Sequence, residues 1–141
     1  MRVFSLAAVE GVLTLQSDAP RAFGPYESWE YEAKLSAHSL TARVKVYDHV
    51  PMRFHEFFVG LANSWKGWSG ERHYESLEPT LKLSARHNGK GVAEVTVLLR
   101  AGASTSFDWS ASQRLSIELG QLQRIAEAAG EFTKREAEVV V

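Results

Sequence analysis

The spacing of apolar and polar residues divides the chain into strands and two helices. Between Trp29 and His38, and again between Leu40 and Tyr47, every second residue is apolar, which is typical of a strand with one buried face. The short connection at His38-Ser39 predicts that these two strands form a hairpin. The same alternation predicts five further strands, at 3–9, 12–16, 81–86, 93–99 and 106–119.

Two segments instead carry apolar residues every three or four positions, the period of an amphipathic helix. Pro51 suits the first turn of the first helix, because its missing N–H is not needed there. Gly67 is expected to end this helix in a left-handed conformation, with Trp68 folding back on the last turn. The first stripe contains Phe54, Phe57, Phe58, Leu61, Ala62 and Trp65, and the second contains Leu122, Ile125, Ala126 and Ala129.

Turn-forming residues mark the connections. Glu10-Gly11 predicts a tight turn, and the sequence from Asn88 to Gly91 predicts a hairpin turn. The turn-formers spread over 17–28 predict a loop. Gln113 interrupts an otherwise apolar face and predicts a bulge or bend in the last strand.

These elements predict an α+β domain. About seven strands form a mostly antiparallel sheet, and two amphipathic helices pack on one face of it. A split or strongly coiled sheet is the alternative, and a doubly wound parallel fold is disfavoured because helices do not alternate with the strands. We expect one domain over residues 1–132, with 133–141 as a tail that continues the helix, adds an edge strand or frays.

Composition narrows the function. The 16 basic and 17 acidic residues are interspersed and give a formal net charge of −1, so the chain lacks the basic field that nucleic acid or anionic lipid requires. Cysteine is absent, which excludes disulfides and thiolate metal sites. No apolar run reaches the roughly 18 residues of a membrane span, and we expect a cytoplasmic protein.

Catalytic and metal motifs are not found. His55-Glu56 is not followed by a second histidine one helical turn later, as a zinc site on a helix would require. The segment from Gly67 to Gly70 is one residue short of a nucleophile elbow. We therefore assign no catalytic residue, no cofactor and no metal ion.

The segment from Trp65 to Leu83 is the most distinctive part of the chain. Trp65 continues the helical stripe and is expected in the core. Trp68 and Tyr74, beside Glu75 and Glu78, form an aromatic group with a polar rim, as expected of a surface that binds another protein. The leading hypothesis is therefore a non-catalytic protein-binding module.

Two alternatives stay open. A small-ligand-binding protein or hydrolase could use a pocket between sheet and helices, with His73, Glu75 and Glu78 as acid and base candidates. Such a site requires at least two of these side chains to converge. Self-association through edge strands, or through the tail at 139–141, is the third hypothesis.

A set of short motifs between Leu40 and Phe132 carries a family resemblance. They are Phe57-Phe58, Leu61-Ala62, Trp65-Lys-Gly-Trp68, Tyr74-Glu-Ser-Leu-Glu78, Leu81-Lys-Leu83, Val95-Thr-Val97 and the segment from Leu115 through Leu122. With these motifs the sequence resembles a family of bacterial proteins classified as a domain of unknown function. More distantly it is similar to immunity proteins that accompany wall-associated contact-dependent toxins, and that resemblance implies a non-catalytic cytoplasmic protein that binds a toxin domain.

Overall fold

The computed structural model describes residues 1–18, 21–23, 26–78, 80–101 and 109–134. Within them the chain forms nine strands and two α-helices, with a single 3₁₀ turn at Leu119–Gln121 before the second helix. The elements are β1 Arg2–Ala8, β2 Gly11–Ser17, β3 Arg21–Phe23, β4 Tyr26–Ala37, β5 Leu40–Asp48, α1 Pro51–Asn63, β6 Glu71–Glu75, β7 Leu81–His87, β8 Val92–Ala101, β9 Trp109–Glu118 and α2 Leu122–Thr133.

The strands form two antiparallel sheets. The first sheet contains β1 to β5. In this sheet β4 pairs with β2 and with β5, and the first residues of β4 pair with the short β3. The second has the order β6-β7-β8-β9. The predicted α+β class and antiparallel pairing are confirmed, and the division into two sheets matches the split-sheet alternative.

One hydrophobic core joins both sheets and both helices. Its centre is a group of aromatic rings in contact, in which Phe54 of α1 meets Phe4 of β1 at a centroid distance of 5.2 Å and Tyr74 of β6 at 5.3 Å. Phe132 of α2 lies 5.5 Å from Trp29 of β4. The helices pack on each other, with α2 contacting β1 and α1 contacting β6. The helix pair therefore touches an edge strand of each sheet.

The β1–β2 hairpin also ties the two sheets together. The Glu10 carboxylate at its tip accepts hydrogen bonds from the backbone N–H and the hydroxyl of Ser116, on the edge strand β9. Gly11 lets β2 approach β4 closely, because a Cβ there would lie 2.6 Å from the Ser36 carbonyl oxygen. The predicted tight turn falls at Val9-Glu10, one residue earlier than the sequence indicated.

Two strands were missed by the alternation. The segment predicted as a loop at 17–28 contains β3 and the start of β4. Its turn-formers, Asp18, Pro20, Gly24 and Pro25, stand before β3 and between β3 and β4 in the sequence, so they do not interrupt either strand. Strand β6 has only Arg72 and Tyr74 on its inner side, and an arginine conceals the apolar period. Gln113 does not mark a bulge, since it pairs in continuous register with Val97.

Helix α2 is the last element of the described chain. It extends to Thr133, which is buried and whose hydroxyl donates to the Ala129 carbonyl at 3.0 Å. The division into one domain over 1–132 and a tail over 133–141 stays a prediction. Positions 135–141 lie outside the described residues. No helix in the described parts of the chain is long and apolar enough to cross a membrane.

Candidate functional site

Helix α1 ends earlier than its apolar stripe suggested. Its last residue is Asn63, and the Ser64 N–H donates to the carbonyls of Gly60 and Leu61, each at 3.2 Å. The chain then turns, with the Gly67 N–H bonded to the Ser64 carbonyl at 2.9 Å. Gly67 therefore follows a short turn and does not cap the helix as predicted.

Trp65 lies in this turn and points into solvent, with 53% of its surface exposed. The prediction that it is a core residue is wrong, because the helical period that placed it on the stripe stops before it is reached. The Lys66 ammonium lies 5.7 Å from the centre of its ring. An exposed tryptophan of this kind is the type of side chain that dominates protein interfaces.

Trp68 has the opposite placement from Trp65. It is partly buried against the core, and its indole N–H donates to the Ala85 carbonyl at 3.2 Å. The Arg72 guanidinium lies 5.3 Å from the centre of its ring, while the same side chain bonds the Gly60 carbonyl at 2.9 Å. Trp68 and Arg72 thus fasten the end of α1 to strands β6 and β7.

His87 holds the turn from the other side. Its Nδ1 accepts the Gly89 N–H at 2.9 Å, so the proton of the neutral ring is on Nε2, which donates to the Trp65 carbonyl at 2.9 Å. The imidazole also meets the Trp68 ring edge to face at 5.1 Å. The backbone that carries Trp65 is therefore fixed, although its side chain is free in solvent.

An open groove of about 770 Å³ lies beside Trp65, within the range of volumes typical of binding sites. It is formed where the end of α1, the β7–β8 turn and the start of α2 meet. Its floor is largely apolar, while Lys90, Glu118 and Gln123 lie exposed at its rim. The lining residues are Ala62, Trp65, Lys90, Gly91, Val92, Glu118, Leu119, Gly120, Leu122 and Gln123.

Tyr74 does not lie on the predicted binding surface, because it is only 2% exposed. Its hydroxyl donates to the buried Asp48 carboxylate at 2.5 Å and lies 3.3 Å from the Tyr31 hydroxyl. Burial is the main cause that raises the pKa of Tyr74 and of Tyr31 above the ordinary tyrosine value. Asp48 also accepts the backbone N–H groups of His49 and Val50, just before α1 begins.

Glu75 and Glu78 are exposed, but they do not lie beside Trp68. Glu75 pairs with Lys82 at 3.5 Å, whereas Trp68 binds Ala85, three residues further along β7 and therefore roughly 10 Å away. The four residues predicted as one surface are thus separated into a buried tyrosine, a structural tryptophan and two solvent-facing carboxylates.

The hydrolase alternative depended on a pocket that gathers His73, Glu75 and Glu78. His73 instead contacts Ser84 at 3.1 Å and has Glu71 as its neighbouring carboxylate at 3.8 Å. The groove beside Trp65 and two smaller depressions in the described part of the chain are lined by other residues than these three candidates. Among the described residues, no group of three or more histidine, aspartate and glutamate side chains is arranged to hold a metal ion.

Fold and site together define an α+β protein with two antiparallel sheets and an exposed tryptophan, on a backbone held by His87, beside an open groove. The sequence matches DUF6228, a family of unknown function, over residues 8–136, and the chain belongs to that family. No curated protein and no solved structure matches it. Family membership confirms the predicted resemblance to a domain of unknown function.

Proposed function

We propose that the chain is a non-catalytic protein-binding module whose binding surface is the Trp65 groove. This surface takes the place of the group around Trp68, Tyr74, Glu75 and Glu78. The observation that carries the proposal is the exposure of Trp65 on a backbone held by His87. A tryptophan side chain has only two torsions, so on a held backbone beside an apolar floor it loses little conformational entropy on binding.

Charge indicates the chemistry of the partner. Lys66 flanks the ring of Trp65 and Lys90 lies on the groove rim, and both side chains are exposed. Glu118 is the one carboxylate among the described residues that line the groove. Within the described residues neither lysine has a carboxylate within salt-bridge distance. The occupant we propose is a protein segment with an apolar anchor side chain and neighbouring carboxylates, because opposite charges guide and align partners.

A selection experiment tests this proposal directly. Random peptides displayed on phage are selected on the immobilised chain, and the enriched peptides are synthesised and their affinities measured. We expect an aromatic or aliphatic anchor next to aspartate or glutamate, and Trp65→Ala should weaken binding about tenfold or more, as an interface hot spot does.

The matched control is Trp109→Ala, which removes another exposed tryptophan, 39% accessible, from strand β9. It should leave peptide affinity unchanged. Circular dichroism confirms that both variants fold. The proposal is wrong if enriched peptides bind Trp65→Ala as well as wild type, or if they carry mainly basic residues.

The immunity-type role and the cytoplasmic location remain predictions from the sequence. If a toxin domain is the partner, its binding should depend on Trp65 in the same assay.

A further inference from the structure

A small polar depression lies on the outer face of the first sheet and shares no lining residue with the Trp65 groove. Its volume is about 120 Å³. The lining side chains project from three neighbouring strands, β2, β4 and β5, on the side opposite the core. They are Thr14, Gln16, Glu32, Lys34 and Arg43.

The register of the strands places two cations side by side. Lys34 is directly opposite Arg43 on one side and Thr14 on the other. Directly opposed residues in an antiparallel pair have Cβ atoms about 4.5–5.5 Å apart, and like charges in this position destabilise the sheet. The positions therefore concentrate positive charge at a cost in stability.

One carboxylate, Glu32, also lines the depression, and it lies opposite Lys45 in the row next to this pair. No carboxylate of the described residues lies within salt-bridge distance of Lys34 or Arg43. Two cations thus share a depression in which the Thr14 hydroxyl and the Gln16 amide add further hydrogen-bond donors.

We propose that this depression binds an oxoanion of the phosphate type, either free or as a phosphoryl group on a larger ligand. Arginine matches the planar spacing of two phosphate oxygens, and lysine supplies a second point charge. Two neighbouring cations favour a dianion over a carboxylate or chloride. Binding would relieve the repulsion between Lys34 and Arg43, and this distinguishes the site from an ordinary charged sheet surface.

The test is an NMR titration of the ¹⁵N-labelled chain with inorganic phosphate, with sodium chloride adjusted to hold ionic strength constant. We expect saturable shifts of backbone amides around Thr14, Lys34 and Arg43. Each of the variants Lys34→Gln and Arg43→Gln should weaken the apparent Kd by about tenfold or more, as expected for a charge-assisted hydrogen bond.

Lys82→Gln is the matched control, since it removes the same charge from the outer face of the other sheet, where Lys82 already pairs with Glu75. It should leave the phosphate titration unchanged. A parallel titration with O-phosphoserine separates the two sources of the anion. Tighter binding of the ester indicates a phosphorylated ligand, and equal or weaker binding indicates the free ion.

The proposal is overturned if chloride alone produces the same shifts, or if both charge-removing variants titrate like wild type. Trp65→Ala should not affect this titration. The two proposals are therefore tested independently: refuting peptide binding at the Trp65 groove would not refute the anion site, and refuting the anion site would not refute peptide binding.

Discussion

The buried hydroxyl of Tyr74 gives the sharpest test of the packing around α1. Tyr74→Phe keeps the ring that packs on Phe54 at 5.3 Å but removes the donor that binds the Asp48 carboxylate at 2.5 Å. Asp48 is 0% exposed, so water cannot replace this donor without rearrangement. Leaving a charged acceptor short of one bond costs about 1.5–3 kcal/mol.

For a chain of this size that loss lowers Tm by roughly 5–12 °C, at about 3–4 °C per kcal/mol. The assay is urea and thermal unfolding followed by circular dichroism. Tyr31→Phe is the matched control, because among the described residues the Tyr31 hydroxyl has only the longer 3.3 Å contact with the Tyr74 hydroxyl. It should cost less, about 0.5–1.5 kcal/mol. A Tyr74→Phe change within about 0.5 kcal/mol of wild type, the scatter of an ordinary surface substitution, would refute the reasoning.

The same pair predicts how stability depends on alkaline pH. The pKa values of Tyr74 and Tyr31 are raised in the folded chain, chiefly by burial. Above the ordinary value of about 10, the unfolded chain releases protons that the folded chain retains. Stability should then fall by up to about 1.4 kcal/mol per pH unit for each tyrosine. Tyr74→Phe should make this fall shallower, and identical slopes in variant and wild type would contradict the assignment.

Three further perturbations test other parts of the structure. Trp68→Ala should destabilise the chain by about 3 kcal/mol, near the lower end of the cost of truncating a core aromatic residue, because the ring is only partly buried. Trp65→Ala should change stability by no more than about 0.5 kcal/mol in the same unfolding assay. Gly11→Ala should cost about 1–3 kcal/mol, since its Cβ would lie 2.6 Å from the Ser36 carbonyl oxygen; a neutral result in urea unfolding would disprove that contact. Hydrogen bonds from Ser116 of β9 lower the pKa of Glu10 below 4.5, so the stability that they add is present above that pH and is lost as the pH falls through the lowered pKa. Glu10→Gln should flatten this acid dependence of stability, and an unchanged profile would count against the Glu10–Ser116 contact.

The sequence predicted most of the secondary structure because one side of nearly every strand faces a single core. The alternation from Leu81 to Arg86 and from Ala93 to Leu99 corresponds to β7 and β8 in paired register. The stripe from Phe54 to Leu61 is buried on α1. Such patterns could be predicted because the apolar period of a strand or helix follows from which of its faces is buried.

The candidate site was harder to predict, since it depends on where a helix stops. Asn63-Ser64 ends α1, and both residue types have low helix propensity, which was the one local signal that Trp65 would leave the stripe. The burial of Tyr74 had no local signal, because its ring packs on Phe54 and its hydroxyl donates to Asp48, 26 positions away in the chain. Contacts of that kind follow from tertiary packing and not from the spacing of neighbours.

Hydrogen exchange of the tryptophan indole N–H groups, followed by NMR, tests the central structural claim most directly. We predict slow exchange at Trp68, whose N–H is bonded to the Ala85 carbonyl, and fast exchange at Trp65, whose ring is 53% exposed. Slow exchange at Trp65 together with fast exchange at Trp68 would contradict the claim that this turn holds one tryptophan inward and presents the other to a partner.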